Sequence, residues 1–283
     1  MNNLRNLWIT DCDRVGVVFP FRNILFPDDS VNAQAALKYA NAFARHGHGQ
    51  VVLFNVHDAK TELASKIAQA AIDQDIDLIT VALRDRNLLT RAFGSSLGED
   101  IIAESPCAVL AIRPPQRDFV NGQSELQLKR VLLATNFRPA SVAATQLATQ
   151  MANQLGAELH AVYVIGDYFE QISSMFPEGG LAALTRLRSY VQERIANLSR
   201  GGGATHISEG RPYQEIVKLA DTLQADLIVI GTAVHGSLFG GNHVLGSEIE
   251  RVIRNAPCPV LCVPAARVLT PLPALVTQIV PQT

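Results

Sequence analysis

Along this chain short, nearly uninterrupted apolar runs bounded by turn formers alternate with longer alanine-rich stretches whose apolar positions recur every three or four residues. The first pattern predicts buried strands and the second amphipathic helices. The series occurs twice. RNILFPDDS at 22–30 is repeated as KRVLLATNF at 129–137, and the helical stretch NAQAALKYANAFARHG at 32–47 as SVAATQLATQMANQLG at 141–156, each ending on a glycine where a helix should stop. VVLFNV at 51–56 matches LHAVYV at 159–164, and DIDLITVAL at 75–83 matches QADLIVIGT at 224–232. LGEDIIAESPCAVLAI at 97–112 matches LGSEIERVIRNAPCPVLCV at 245–263.

The offset between the copies locates an insertion. It is 107 for the first strand, 108 for the second, 149 for the DLI strand and 151 for the Pro-Cys pair, so about 41 extra residues lie between the second strand and the DLI strand of the second half. They contain a helix candidate at 181–198 and a strand candidate, THISEG, at 205–210. Strands alternating with helices imply α/β domains with open parallel sheets and helices on both faces. The second half then reads as five strands and four helices, and the first half as the same unit without one helix and one strand. That strand must be an edge strand, because losing a central one would leave two rows of unpaired backbone groups. The domains expected are 20–115 and 128–265, joined by the Pro-containing, polar linker RPPQRDFVNGQSEL at 113–126.

Composition narrows the function classes. The chain has 283 residues, of which 48% are hydrophobic and 18% charged, with four cysteines, a profile of globular domains and not of a disordered tail or a disulfide scaffold. Net charge is −2, split −3 and +1 between residues 1–125 and 126–283, so neither half is a basic module and nucleic acid is not an expected partner. Asp11, Asp13 and Arg14 interrupt the apolar residues of the N-terminal stretch, which argues against a signal peptide, and no run approaches a membrane span. A cytoplasmic location is the expectation, with no membrane partner.

Open α/β sheets bind ligands beyond the carboxyl ends of their strands, beside the point where strand order reverses. In the second half the stretch after the DLI strand carries five glycines in the sixteen residues from Gly231 to Gly246, followed by Ser247 and a helix. Glycines admit close backbone approach, and a helix N-terminus attracts an anion, so this order suits phosphate. It is neither a P-loop nor a dinucleotide fingerprint. Ser247 is also the expected N-cap of the helix.

These segments together resemble the universal stress protein family, in its tandem form with two units in one chain. The resemblance rests on PDDS at 27–30, GRPYQEIVKLADTLQADLIVIGT at 210–232, LGSEIERVI at 245–253 and the paired SPC and APCPVLCVP endings. It implies two adenine nucleotide alpha hydrolase-like domains packed as a pseudo-dimer. Members that bind ATP use a Gly-x-x-Gly-(nine residues)-Gly-Ser/Thr loop, an aspartate after the first strand and a backbone contact after the second. Gly236, nine residues and then Gly246-Ser247 fit the later part of that pattern. Ala233 stands where the earlier glycine is wanted, with Gly231 two residues further away, and Asn136 replaces the aspartate. The implied cofactor-binding residues are Ala134, Asn136 and Val164 beside base and ribose, and Gly231, Gly236, Gly246, Ser247 and Glu248 around the phosphates.

The first half keeps Asp29 but places Arg84, Asp85 and Arg86 where backbone should meet phosphate, so a nucleotide site is not expected there. His235 and His243 lie in the glycine loop and His206 in the inserted strand, too few ligands for a metal site. Cys258 and Cys262, on one expected strand, would stand ~13 Å apart and serve packing. Asp28-Asp29 reads as a turn, and 166–180 as a long loop or a flap. The tail from Ala266 reads as apolar packing against the body or a partner. No nucleophile, base and orienting acid assemble from the sequence. The resemblance therefore implies a non-enzymatic stress-response protein that binds ATP or AMP, with or without magnesium, in its second half. Nucleotide would order the 231–247 loop and alter a partner surface. The alternative is a degenerate member without nucleotide, acting as a dimerisation or protein-docking module. Partners expected are the nucleotide, an unidentified protein and a second copy of the chain.

Overall fold

The computed structural model describes residues 19–28, 33–56, 62–83, 97–166, 177–196, 198–199, 201–232 and 245–265. The first half comprises β1 (Asn23–Asp28), α1 (Ala33–His46), β2 (Gln50–Asn55), α2 (Leu63–Asp73), β3 (Leu78–Ala82), α3 (Leu97–Glu104) and β4 (Ala108–Ile112). The second comprises β5 (Arg130–Ala134), α4 (Pro139–Leu155), β6 (Glu158–Ile165), α5 (Pro177–Ile195), β7 (Thr205–Glu209), α6 (Pro212–Thr222), β8 (Leu227–Thr232), α7 (Ser247–Asn255) and β9 (Val260–Pro264). α4 shows the local logic. Proline opens it, Ala144, Leu147, Ala148, Met151 and Ala152 bury one stripe, and Gly156 closes it in the left-handed region at φ 67°.

All the strands join one nine-stranded sheet in the order β2-β1-β3-β4-β9-β8-β5-β6-β7. Every pairing is parallel except β4 with β9, which is antiparallel and centred on Leu110 opposite Leu261. The halves thus meet edge to edge, and the carboxyl ends of their strands point to opposite rims. Among the described residues the first half has no counterpart of α5 or β7, and β7 lies at the outer edge of the sheet as the deletion argument requires.

Both apolar layers run through the seam. On one face α1, α4, Ile195 of α5 and the linker residues Phe119 and Val120 form a continuous core, and on the other α2, α3, α6 and α7 form a second. The repeated DLI aspartates explain part of the sequence echo. Asp77 accepts the N–H groups of Arg22 and Asn23 at 3.0 and 2.9 Å, and Asp226 accepts those of Lys129 and Arg130 at 2.8 Å each, so each carboxylate ties down the start of its half's first strand. Across the seam Arg254 of α7 donates to both oxygens of buried Glu99 in α3, at 2.8 and 3.1 Å. The linker clasps both halves. Arg117 donates to the carbonyls of Ala220 and Ala225 at 3.2 and 3.3 Å and pairs with Asp221, while Asp118 pairs with Lys38 and accepts the Tyr39 hydroxyl at 3.0 Å.

Candidate functional site

In the second half the strand order reverses between β5 and β8, which places the ligand crevice between the chain leaving β5 and the N-terminus of α7. The β5 wall is a tightly bonded turn. Thr135 donates its N–H to the Val162 carbonyl at 3.0 Å, and its hydroxyl accepts the Phe137 N–H at 3.2 Å. The Asn136 Oδ1 accepts the Arg138 N–H at 3.1 Å and the Ser141 hydroxyl at 2.7 Å, fastening the turn to α4. Phe137 adopts φ 58°, stacks on Tyr163 with ring centroids 5.1 Å apart and lies under the Arg194 guanidinium. Buried Thr135 and the Phe137–Tyr163–Arg194 stack had no signal in the sequence beyond their place after a strand.

Ala134, at the end of β5, is buried in the sheet. For Val164 the direction of the backbone groups follows from its neighbours. Ile165 turns its carbonyl toward β7, where it accepts the Gly210 N–H at 2.9 Å, whereas the Val162 carbonyl faces β5. Alternation therefore sends the N–H and C=O of Val164 the way of Val162, past the last residue of β5 and into the crevice.

Four expected phosphate residues lie in the described part, and the structure separates them. A Cβ built on Gly231 would stand 2.3 Å from the Ala140 carbonyl oxygen and 2.8 Å from the Ser141 nitrogen. Its glycine lets the first turn of α4 rest on β8 and is not needed to admit a ligand. Gly246 is the opposite case, because among the described residues its Cβ direction meets nothing nearer than Ile249 Cδ1 at 3.9 Å. The N-cap of α7 is Gly246 and not Ser247, which is the first helical residue and is exposed. Glycine fits because the helix begins one residue earlier than the Ser247 cap required, and no side-chain hydrogen bond caps it. The first intrahelical bond, Glu250 N–H to Gly246 carbonyl at 3.1 Å, leaves the N–H groups of Ser247, Glu248 and Ile249 without an intrahelical acceptor. Glu248 turns its carboxylate from the crevice to α6, where it accepts the Tyr213 N–H at 3.1 Å and pairs with Arg251 at 3.3 Å. Gly236, Ala233, His235 and His243 lie outside the described residues, as do Asp29, Arg84, Asp85, Arg86, most of the 166–180 segment and the tail from Ala266.

The equivalent rim of the first half is narrower among the described residues. Its switch point, between β1 and β3, holds a cavity of ≈ 20 Å³ lined by Phe26, Pro27, Ala82 and Gly98, room for about one water. Leu83 occupies the remaining space, with its Cδ2 2.4 Å from where a Cβ on Gly98 would lie.

The remaining chemistry is structural. Cys258 precedes β9 and does not lie in it, correcting the shared-strand expectation, while Cys262 is in the strand; both are buried and free. Burial pushes the Cys258 thiol up to about 12, and Cys107 likewise to about 12, so neither is a thiolate at neutral pH. His206 packs against His160, with ring nitrogens 3.4 Å apart, and burial followed by its neighbour's charge lowers its pKa. His160 accepts the Ala204 N–H at 3.2 Å, which uses a lone pair a metal would need. Among the described residues no group of three or more His, Cys, Asp or Glu could hold a metal, and no described helix is long and apolar enough to cross a membrane.

Fold and topology define a tandem α/β protein whose two repeats share one sheet. The sequence profile of the universal stress protein family matches residues 127–264. A universal stress protein of Methanocaldococcus jannaschii is 34% identical over 145 residues, covering 48% of this chain and 81% of that protein. One of Thermus aquaticus is 33% identical over 138 residues, 48% of this chain and 98% of that protein. The crystal structure of a universal stress protein from Archaeoglobus fulgidus superposes with TM-score 0.56 at 19% identity, over 86% of this chain and 98% of that one, which extends the shared fold across both halves. The chain belongs to the universal stress protein family.

Proposed function

We propose that this chain is a cytoplasmic, non-enzymatic stress-response protein that binds an adenine nucleotide, ATP or AMP, at the rim of its second half and nowhere on its first. The observation that carries the reading is a contrast, among the described residues, at two equivalent glycines: the space beyond Gly246 is open at a helix N-terminus whose first N–H groups have no intrahelical acceptor, and the space beyond Gly98 meets Leu83. Phosphate would sit on the first turn of α7, where dipole and N–H groups favour an anion. Base and ribose would lie toward Asn136 and the backbone of Val164. Glu248 is committed to Tyr213 and Arg251, which leaves the described phosphate end without a carboxylate to activate water and favours binding without turnover.

Calorimetric titration with ATP and AMP, with and without magnesium, tests this. Micromolar binding abolished by Gly246→Val in a protein of unchanged melting temperature is the expected result. Absence of heat at millimolar nucleotide overturns it and leaves the second reading, a docking module. One observation favours that alternative. β2, at the sheet edge, has the uncharged sequence QVVLFN and exposes 62% of Leu53, whose counterpart Ala161 is buried in the second half.

A further inference from the structure

Asn136 has an asymmetric set of hydrogen bonds. A carbonyl oxygen has two lone pairs, and both of those on Oδ1 are taken, one by the Arg138 N–H at 3.1 Å and one by the Ser141 hydroxyl at 2.7 Å. The backbone N–H partner also fixes which amide branch is oxygen, since a nitrogen in that place would set two donors against each other. The residue's own N–H donates to Ser141 Oγ at 3.3 Å, closing a loop that prevents the amide from turning over. The Nδ2 group is thus the part of the side chain with no partner among the described residues, on an exposed residue at the end of β5, beside the switch point. It can donate and cannot accept. The other polar groups assigned to the described crevice do not discriminate in this way, because Val164 presents both an N–H and a C=O and the Ser247 hydroxyl serves either role.

We propose that Asn136 is a specificity-determining residue that selects a nucleotide turning an acceptor oxygen of its ribose toward Nδ2, and disfavours one that turns an N–H there. This rests on the nucleotide reading above. A donor placed against Nδ2 would set two donors facing each other across the contact that the ligand closes to water, a mismatch that discriminates roughly ten-fold. An aspartate at the same position would reverse the preference. One of its oxygens would take over both turn bonds and the other would present an acceptor where Nδ2 now presents donors.

Calorimetry with ATP, inosine triphosphate and 3′-O-methyl-ATP, ligands of equal charge, tests the proposal on the full chain, on Asn136→Asp and on Asn136→Ala, each checked by melting temperature. A wild type that prefers inosine triphosphate over ATP by roughly ten-fold, with the ratio inverted in Asn136→Asp, would set a 6-oxo base against Nδ2 and overturn both the ribose assignment and the adenine reading. The expected result is that the wild type accepts 3′-O-methyl-ATP as well as ATP and Asn136→Asp rejects the methylated ligand by roughly ten-fold. Asn136→Ala flattens whichever ratio responds. Binding with both ratios unchanged in Asn136→Asp, or shifted in the opposite sense, overturns the proposal while leaving nucleotide binding intact. No binding of any of the three ligands to the folded wild type overturns both.

Discussion

The two rims of the sheet are built from the same repeat and differ in what they can admit. At the first, Leu83 follows β3 and stands against Gly98; at the second, Thr232, in the equivalent position, is buried at the end of β8 and no described residue comes within 3.9 Å of a Cβ on Gly246. Backbone geometry is shared, so the capacity for a ligand is set by the side chains at the strand ends and not by the fold. The glycines divide along the same line. Gly231 corresponds to Ala82 in the first half, where a Cβ is tolerated, yet at Gly231 a Cβ would press on the α4 backbone at 2.3 Å.

That difference gives the largest expected effect. Gly231→Ala installs the residue the first half carries, and should destabilise the protein by about 3 kcal/mol, because the obstructing atoms are backbone and cannot rotate aside. Gly246→Ala should change stability by less than about 0.5 kcal/mol. Denaturant unfolding of both variants checks the pair, and equal losses would mean that the distinction between a packing glycine and a ligand glycine is wrong.

Breaking the seam should come next. Arg254→Met leaves the Glu99 carboxylate, 7% exposed, without its bidentate partner. Removing one member of a buried pair costs about 3 to 5 kcal/mol, reduced here to about 2 because the arginine itself is partly exposed. If the halves fold as one unit across β4 and β9, the variant still unfolds in a single transition at lower denaturant. Two transitions would show that the repeat units are independent and that the seam is a contact between finished domains.

The order of elements, the inserted helix and strand and the edge position of that strand were legible because they follow from periodicity and from the need to pair backbone groups. The continuous sheet through β4 and β9 was not, since register between two repeats leaves no local trace in either. Ser247 was misread as a cap because Gly-Ser before a helix fits two frames a residue apart, and only the backbone dihedrals choose. Glu248 carried the expectation of a place near phosphate by position in a pattern, but its carboxylate meets Tyr213 N–H, a residue 35 positions away. The hydrogen-bond polarity of Asn136 was not legible, because it depends on Ser141 in the first turn of α4.

The linker offers a smaller and sharper contrast, since neighbouring residues hold different halves by different chemistry. Burial works against the charge on Asp118, but hydrogen bonds from Lys38, the Val120 N–H and Tyr39 outweigh it and hold its pKa below the usual carboxylate value. A depressed folded-state pKa means that the contribution is fully present above the unfolded value of about 4 and is lost as pH falls through the folded value. Asp118→Asn should therefore cost about 0.5 to 1 kcal/mol at pH 7, discounted for the exposure of the pair, and progressively less as the pH falls below about 4. Arg117 instead donates to the carbonyls of Ala220 and Ala225, which do not titrate, while its pair with Asp221, 69% exposed, adds little that acid could remove. Arg117→Met should cost about 1 kcal/mol, nearly the same at pH 7 and in acid. Unfolding curves of the two variants across this range decide the matter: a penalty for Asp118→Asn that persists undiminished in acid would assign Asp118 a role through shape and neutral hydrogen bonds, with its charge irrelevant to holding α1.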